Sequence, residues 1–288
     1  MRPNNLNTKI FLDGGDPKET EEVVNMLGFL DGQTTNPTLI SNNPEVAKRL
    51  EQRKFTKEEL LNLYKSVVQE ISTLIPNGSV SIQVYSDKNT RAEEMLEQGK
   101  EMFNWIPNAH VKYTTTLQGI KAAEQSVKLG MRVNMTLVFS QQQAAAIYSA
   151  TKGAKKGQVI ISPFIGRLDD IGENGMSLIE NIIKMFEKGD GHVRVLAASI
   201  RNMDHLLGCF KLGADIVTLP FRTIQEWFDQ DMKLPDDSFI YPTEDFTDIP
   251  YQQLDLNKPW QEFSINHQLT DQGLEKFAND WNNLIFSK

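Results

Sequence analysis

AHVKYTTTLQGIKAAEQSVKLGMRVNMTLV, Ala109–Val138, is the stretch that decides the fold. It opens on a short β-branched and aromatic run, His110–Thr114, and passes through an amphipathic stretch, Gln118–Leu129. It closes on a second short run, Arg132–Thr136. Strand, helix and strand in so short a span form one βαβ unit, whose strands pair in parallel through a right-handed crossover. Working outward, the alternation recurs roughly eight times along the chain. Further strands are expected at Lys9–Asp13, Phe29–Thr35, Val80–Tyr85, Val159–Pro163, Val193–Ala198 and Asp215–Leu219. Helical patterns lie between them, over Thr90–Asn104, Gln141–Thr151, Ser177–Lys188 and Asn202–Leu212. Eight such units close an α/β barrel of the (β/α)8 TIM type, whose active site lies at the C-terminal strand ends. A doubly wound open sheet is the alternative, but no Gly-rich dinucleotide fingerprint follows any early strand. Residues 51–76 hold more helix than one crossover needs, so an extra helix is expected after the second strand. Residues 229–267 are rich in Asp, Pro and aromatics with little periodicity, and precede a last helix over Gly273–Ile285. The expectation is one barrel domain over 1–288, with 229–288 as C-terminal arm and final helix.

Strands buried in a parallel sheet read as near-continuous apolar runs. Several strands here are apolar on one face only. Val111 and Tyr113 oppose His110, Lys112 and Thr114; Val133, Met135 and Leu137 oppose Arg132, Asn134 and Thr136; Ile82 and Val84 oppose Ser81 and Gln83. If the apolar faces meet the helices, the polar faces point into the barrel. Unpaired polar groups there cost about 1–3 kcal/mol each, so their convergence marks a site rather than a packed core. Lys112 is the sharpest of them. A strand lysine is usually an edge charge facing water, but a barrel has no edge. Burial disfavours the ammonium and yields the neutral amine that attacks a ketone carbonyl.

Composition bounds the rest. The 288 residues are 40% hydrophobic and 24% charged, enough for a large core without staples. Net charge is −8, which disfavours nucleic-acid binding but leaves room for a small phosphorylated ligand. The lone Cys209 cannot form an internal disulfide. No apolar run approaches the ~18 residues that span a membrane, and MRPNNLNTKIFLDGG lacks the apolar core of a signal peptide. A cytoplasmic protein without membrane partners is expected; oligomeric state is left open. The four histidines show no metal-ligand spacing, and no nucleophile–histidine motif is present.

LDGQTTNPTLI, Leu30–Ile40, closely resembles the transaldolase signature around its Asp-Gly-x-Thr-x-Asn-Pro core. HVKYT at His110–Thr114 is similar to that family's Schiff-base strand. NMTLVFS at Asn134–Ser140, SPFIGR at Ser162–Arg167 and AASIRN at Ala197–Asn202 resemble its later strand ends. The matches run in order from Lys9 to about Phe221. The resemblance implies that Lys112 forms an imine with C2 of an open-chain ketose phosphate. It implies that Asp13 takes the C4 hydroxyl proton as the C3–C4 bond breaks, and that Asn36 and Asn134 hold the three-carbon unit. Arg167, Ser199 and Arg201 would hold the phosphate, with Ser162 lining the same end, while Thr136 joins the catalytic set. Taken alone, Asp13 in DGGDP reads more readily as a turn residue or helix cap before Pro17, and Asn36 before Pro37 as an ordinary turn starter. The implied route needs no metal or other cofactor, and its partners are sugar-phosphate substrates.

Two positions depart from the family pattern. Transaldolases usually carry Glu on the third strand, where it moves protons through a water; SIQVY places Gln83 there. Fructose-6-phosphate aldolases, close relatives, also use Gln there, but commonly carry Tyr where this chain has Phe164. The link ATKGAKKGQ is also lengthened, most simply as a surface loop. The resemblance favours a transferase that passes a dihydroxyacetone unit to an aldose phosphate in the pentose phosphate pathway. The alternatives are an aldolase releasing free dihydroxyacetone and, in another class, a barrel that binds sugar phosphates without turnover.

Overall fold

A computed structural model describes residues 2–286. Its strands are β1 (Lys9–Asp13), β2 (Gly32–Thr34), β3 (Ser79–Gln83), β4 (Ala109–Thr114), β5 (Val133–Val138), β6 (Val159–Pro163), β7 (Glu173–Asn174), β8 (Val193–Ala197), β9 (Ile216–Leu219) and β10 (Thr247–Asp248). Eight of them close a parallel barrel in the order β1-β2-β3-β4-β5-β6-β8-β9, while the short β7 and β10 pair outside it. The helices are α1 (Pro17–Leu27), α2 (Pro37–Ser41), α3 (Pro44–Leu50), α4 (Lys57–Leu74), α5 (Ala92–Phe103) and α6 (Leu117–Lys128). They continue with α7 (Gln141–Ala150), α8 (Ile165–Asp169), α9 (Gly175–Phe186), α10 (Met203–Leu212), α11 (Phe221–Asp229) and α12 (Gln268–Asn282). This is the expected (β/α)8 barrel. None of the described helices is long and apolar enough to cross a membrane.

Local chemistry sets the helix starts. Asp16, Asn36 and Asn43 each cap a helix whose first residue is proline, a position where the missing N–H has no cost. Thr56 and Glu59 form a reciprocal capping box at α4. The connection after β2 carries three helices, α2, α3 and α4: the expected extra helix is there, and one more beside it. The final helix begins at Gln268, five residues before the expected Gly273, because His267 rather than a glycine sets its start by accepting the Leu269 N–H.

The strands are two-sided as expected. Val111, Tyr113, Val133, Met135, Val159 and Ile161 face outward into a large core shared with the helices. A separate small cluster of Phe11, Ile160, Leu196, Ala198 and Ile216 lies apart from it, on the inward-facing positions of β1, β6, β8 and β9. Phe11 lies across β2, where a Cβ on Gly32 would come 2.5 Å from its ring. Only glycine leaves that space.

The arm ahead of α12 is laced to the helix layer. Gln141 exchanges two hydrogen bonds with the Gln252 backbone, and Asn181 donates to the Ile249 carbonyl. The arm then delivers α12 to the C-terminal end of β5. There the ladder shifts register and Leu137 takes φ 62°, a left-handed value that costs a bulky residue strain. Thr270 of α12 donates to the Leu137 carbonyl at 3.0 Å, and Gly273 makes room for its side chain. The lengthened 150–158 link is a run of turns, largely exposed and anchored by Gln158, which donates to the Val127 and Met131 carbonyls.

Candidate active site

Register places the polar residues in layers. Gln83 on β3 lies beside Lys112 on β4, and Lys112 lies beside Asn134 on β5. One residue pair further up, Thr114 stands beside Thr136, and Thr136 beside Ser162 on β6. Lys112 is 3% exposed and donates one long hydrogen bond, 3.3 Å, to the Thr35 carbonyl. Burial pushes its pKa down to about 8, against a smaller upward pull from Asp13. Two buried atoms near it lack any protein partner among the described residues: Gln83 Oε1 and Thr136 Oγ1. Unsatisfied buried polar atoms are expensive, and a pair beside a deprotonatable lysine makes this layer the candidate site.

The signature stretch divides its labour residue by residue. Asp31 accepts the Ile10 N–H and a two-pronged bond from Arg2, which ties β1 to β2. Gln33 points outward, donating to the Gly14 carbonyl and accepting from Thr20. Thr34 points inward and donates to Asp13 at 2.6 Å; Thr218 lies 2.6 Å from the same hydroxyl. Thr35 donates to the Ser81 carbonyl, so its oxygen must accept from Tyr64, 2.5 Å away. Tyr64 also accepts the Gln83 N–H. One tyrosine on α4 therefore fixes both the carbonyl that holds Lys112 and the strand end that carries Gln83.

Asp13 lies at the end of β1 with part of its surface open. Desolvation raises its pKa, opposed by Lys112 and by the Thr34 hydrogen bond. The cap of α1 is Asp16, which accepts the Lys18 N–H, so Asp13 is not the helix cap. Asn36 does cap α2: its Oδ1 accepts the Leu39 N–H, and only its amide N–H groups remain for a ligand. Asn134 is clamped, donating to Ser81 at 3.0 Å and accepting from Ser162 at 2.7 Å. Ser162, expected beside the arginines, gives its hydroxyl hydrogen to Asn134 because strand alternation turns it inward.

The ends of β6 and β8 form a second corner. Arg167 lies on α8 and makes no hydrogen bond with the described residues. Ser199 takes φ 60°, and Arg201 follows in the loop before α10. A Cβ on Gly166 would come 2.5 Å from Arg201 Nε and 2.6 Å from the Ser199 carbonyl oxygen, so the two loops touch across a glycine. Arg201 also makes an ion pair: its fork grips both Asp170 oxygens. That grip uses two of five guanidinium N–H groups and leaves three for an anion. Arg201 and Arg167 hold the Asp170 carboxyl below its usual range.

The model of the transaldolase/fructose-6-phosphate aldolase family matches residues 10–288. The chain belongs to this family. A probable transaldolase of Dehalococcoides mccartyi is 32% identical over 273 residues, 95% of this chain and 97% of that protein. Those of Alkaliphilus metalliredigens and Herpetosiphon aurantiacus are 32% and 33% identical, over 96% and 95% of this chain and 99% and 94% of theirs.

Within that family frame, the structure gathers Lys112, Gln83, Asn134, Thr136 and Ser162 in adjoining layers of β3–β6, and the electrostatics couple Lys112 to Asp13. Arg167, Ser199 and Arg201 form a separate corner, and Phe164 lies at the end of β6, 5.7 Å ring to ring from Phe139. Sequence reasoning missed Tyr64, Thr34 and Thr35; Ser81 is already on the inward polar face of the third strand. Thr34 sits inside the signature and could have been found by its inward periodicity, whereas Thr35, one residue on, turns toward α4. Tyr64 could not have been found, because a buried aromatic on an amphipathic helix carries no functional signal. Among the described residues, no group of three or more His, Cys, Asp or Glu side chains is placed to hold a metal ion.

Proposed function

We propose that the chain is a transaldolase that moves a dihydroxyacetone unit between sugar phosphates through a Schiff base on Lys112. The observation that carries this reading is Lys112 itself: buried, shifted to about 8, and bordered by two polar atoms without protein partners. At pH 7 a pKa of about 8 leaves roughly a tenth of the lysine as neutral amine, against about three parts in ten thousand for an ordinary lysine. The amine adds to the C2 ketone of sedoheptulose 7-phosphate or fructose 6-phosphate. Loss of water from the carbinolamine gives the iminium, which accepts the electron pair of the breaking C3–C4 bond. Asp13 takes the C4 hydroxyl proton in that step. A carboxylate with a raised pKa is a stronger base than an ordinary one, and Thr34 occupies only one of its oxygens. The aldose phosphate leaves, and the enamine on Lys112 attacks glyceraldehyde 3-phosphate or erythrose 4-phosphate. Hydrolysis then frees the new ketose and the lysine.

The neighbours fit these steps. Gln83 Oε1 and the Thr136 hydroxyl hold the water lost and regained at C2. Asn36 and the second amide hydrogen of Asn134 bind the hydroxyls of the three-carbon unit. Arg167, Ser199 and the free N–H groups of Arg201 bind the phosphate, where planar forked donors match its oxygens. The pathway is pentose phosphate metabolism, in the cytoplasm; Cys209 is buried and its thiol pKa is pushed up, which suits a protein with no redox duty.

A second reading is supported by Gln83. It can orient a water but cannot act as its base, the arrangement of aldolases that release free dihydroxyacetone. Phe164 argues the other way, since it offers no proton to the enamine. The test is incubation with fructose 6-phosphate and erythrose 4-phosphate, scoring sedoheptulose 7-phosphate against dihydroxyacetone. Borohydride should trap the donor as an adduct on Lys112. Mostly free dihydroxyacetone with acceptor present would make the protein an aldolase; no adduct would leave a binding barrel. Phe164→Tyr should raise dihydroxyacetone release relative to transfer, and Gln83→Glu should raise transfer by up to ~10²-fold.

A further inference from the structure

His205 is the third residue of α10, and Asn202, the cap of that helix, accepts its backbone N–H at 2.9 Å. The helix start is therefore satisfied without the imidazole. The ring turns back instead, and its Nδ1 accepts the Arg201 N–H at 3.3 Å. Because Nδ1 accepts, the proton of a neutral ring sits on Nε2. That nitrogen lies 2.8 Å from Asp169 Oδ2. The carboxylate oxygen lies off the N–H axis and has no aligned hydrogen bond, so the contact is chiefly electrostatic, and it favours the same tautomer. Asp169 Oδ1 accepts the Gly175 N–H at 3.0 Å, which anchors the carboxylate to the start of α9. The imidazole is 4% exposed, and Tyr241 from the C-terminal arm lies against it, 6.0 Å between ring centres.

We propose that His205 is a positioning residue for phosphate recognition, holding the Arg201 backbone so that the guanidinium keeps its free N–H groups aimed at a phosphate. The inference rests on Arg167 and Arg201 being the phosphate ligands. Among the described residues the Arg201 side chain is otherwise hydrogen-bonded to Asp170 alone, in an exposed pair, and solvent screens such pairs strongly. Ser199, with its left-handed backbone, accepts the Gly166 N–H at 3.2 Å and is the last residue paired to the β6 end before Arg201. The chain Asp169–His205–Arg201 adds a restraint on the Arg201 backbone itself, from a buried direction. A role confined to stability would weaken every substrate alike, whereas a positioning role weakens only those that carry the phosphate.

The test measures kcat and KM for fructose 6-phosphate and for unphosphorylated fructose, with thermal unfolding alongside. His205→Phe keeps the ring volume but removes the acceptor. Its kcat/KM for fructose 6-phosphate should fall about 3- to 10-fold, mainly through KM, with fructose unchanged. His205→Gln can accept from Arg201 and donate to Asp169, and should restore most of the phosphate preference. Should His205→Phe not fold, Asp169→Asn serves. Its amide oxygen must face the Gly175 N–H, which turns the NH2 group toward Nε2, reverses the tautomer and removes the acceptor at Nδ1. Arg201→Ala is the reference. If it leaves the phosphate preference intact, the phosphate assignment itself fails. If it abolishes the preference while His205→Phe and Asp169→Asn match the parent, or lose equally on both substrates, the positioning role is overturned.

Discussion

His110 and Lys112 stand two residues apart on the same face of β4, and burial pushes both pKa values down, to about 4 and about 8. There the likeness ends. His110 belongs to the N-terminal end of the barrel, beside a cavity of about 550 Å³ lined by Lys9, Ser79 and Arg194 among others. Both of its nitrogens are used: Nε2 donates to the Gly157 carbonyl at 3.1 Å, and Nδ1 accepts from Ser79 at 2.7 Å. Lys9 and Arg132 add positive field that holds it neutral. Lys112 faces the other end with a single long hydrogen bond and orphaned neighbours. A perturbed titratable group with all its partners in place is architecture; one whose surroundings are left unsatisfied is poised for chemistry.

The largest test of that contrast is Lys112→Met. Turnover should fall by more than about 10³-fold with the fold intact, since the imine has no other nucleophile. Activity within tenfold of the parent would remove Lys112 from the mechanism. The same variant should be more stable. Folding lowers the lysine pKa from 10.5 to about 8, and at about 1.4 kcal/mol per pH unit the charged lysine costs the fold at most about 3.5 kcal/mol. The sign follows from proton counts. Between about pH 8 and 10.5 the unfolded chain binds the proton and the folded one does not, so parent stability climbs with pH there. The advantage of Met should be greatest below pH 8 and vanish above about 10.5, as urea unfolding at several pH values would show.

Next come the arginines, proposed to read a different part of the substrate. Arg167→Ala and Arg201→Ala each remove a charge-assisted contact worth about 1.5–3 kcal/mol, so kcat/KM for fructose 6-phosphate should fall ~10- to 150-fold. Unphosphorylated fructose should lose much less; equal losses would show that neither reads the phosphate. The pH profile sharpens the comparison further. Imine trapping should rise about tenfold per unit until roughly pH 8 and then level off, following the neutral amine. A rise continuing to pH 10 would mean Lys112 is not desolvated in solution. Smallest in its effect on turnover is His110→Phe, which breaks two buried hydrogen bonds. It should cost about 1–3 kcal/mol of stability yet leave kcat/KM within about threefold. A tenfold loss of kcat/KM would place His110 in the chemistry and erase the distinction.

Much of this contrast was legible before the fold. The period-2 pattern in His110–Thr114 and Arg132–Thr136 sends Lys112 and Asn134 inward, and the register confirms the shared face. The pattern could not say which inward residue does chemistry, because His110 and Lys112 share a face and differ only in what surrounds them. DGGDP likewise left Asp13 open to reading as a turn residue or helix cap, and only the tertiary structure assigned the cap to Asp16. Arg201 is expected at the phosphate from its motif, and only the tertiary structure puts Asp170, the residue that closes α8, in its fork.

The sequence by itself determined the barrel, the inward lysine and the family. These depend on local periodicity and on short contiguous motifs, in which neighbours along the chain set the outcome. Tertiary structure alone decided the environment of each group: Tyr64 behind Thr35, Ser81 and Ser162 around Asn134, His205 behind Arg201, and α12 against Leu137. The physical reason is that desolvation and hydrogen-bond satisfaction are summed over everything within a few ångströms. In a closed barrel those atoms come from strands and helices far apart in sequence, so no local pattern can carry the sum.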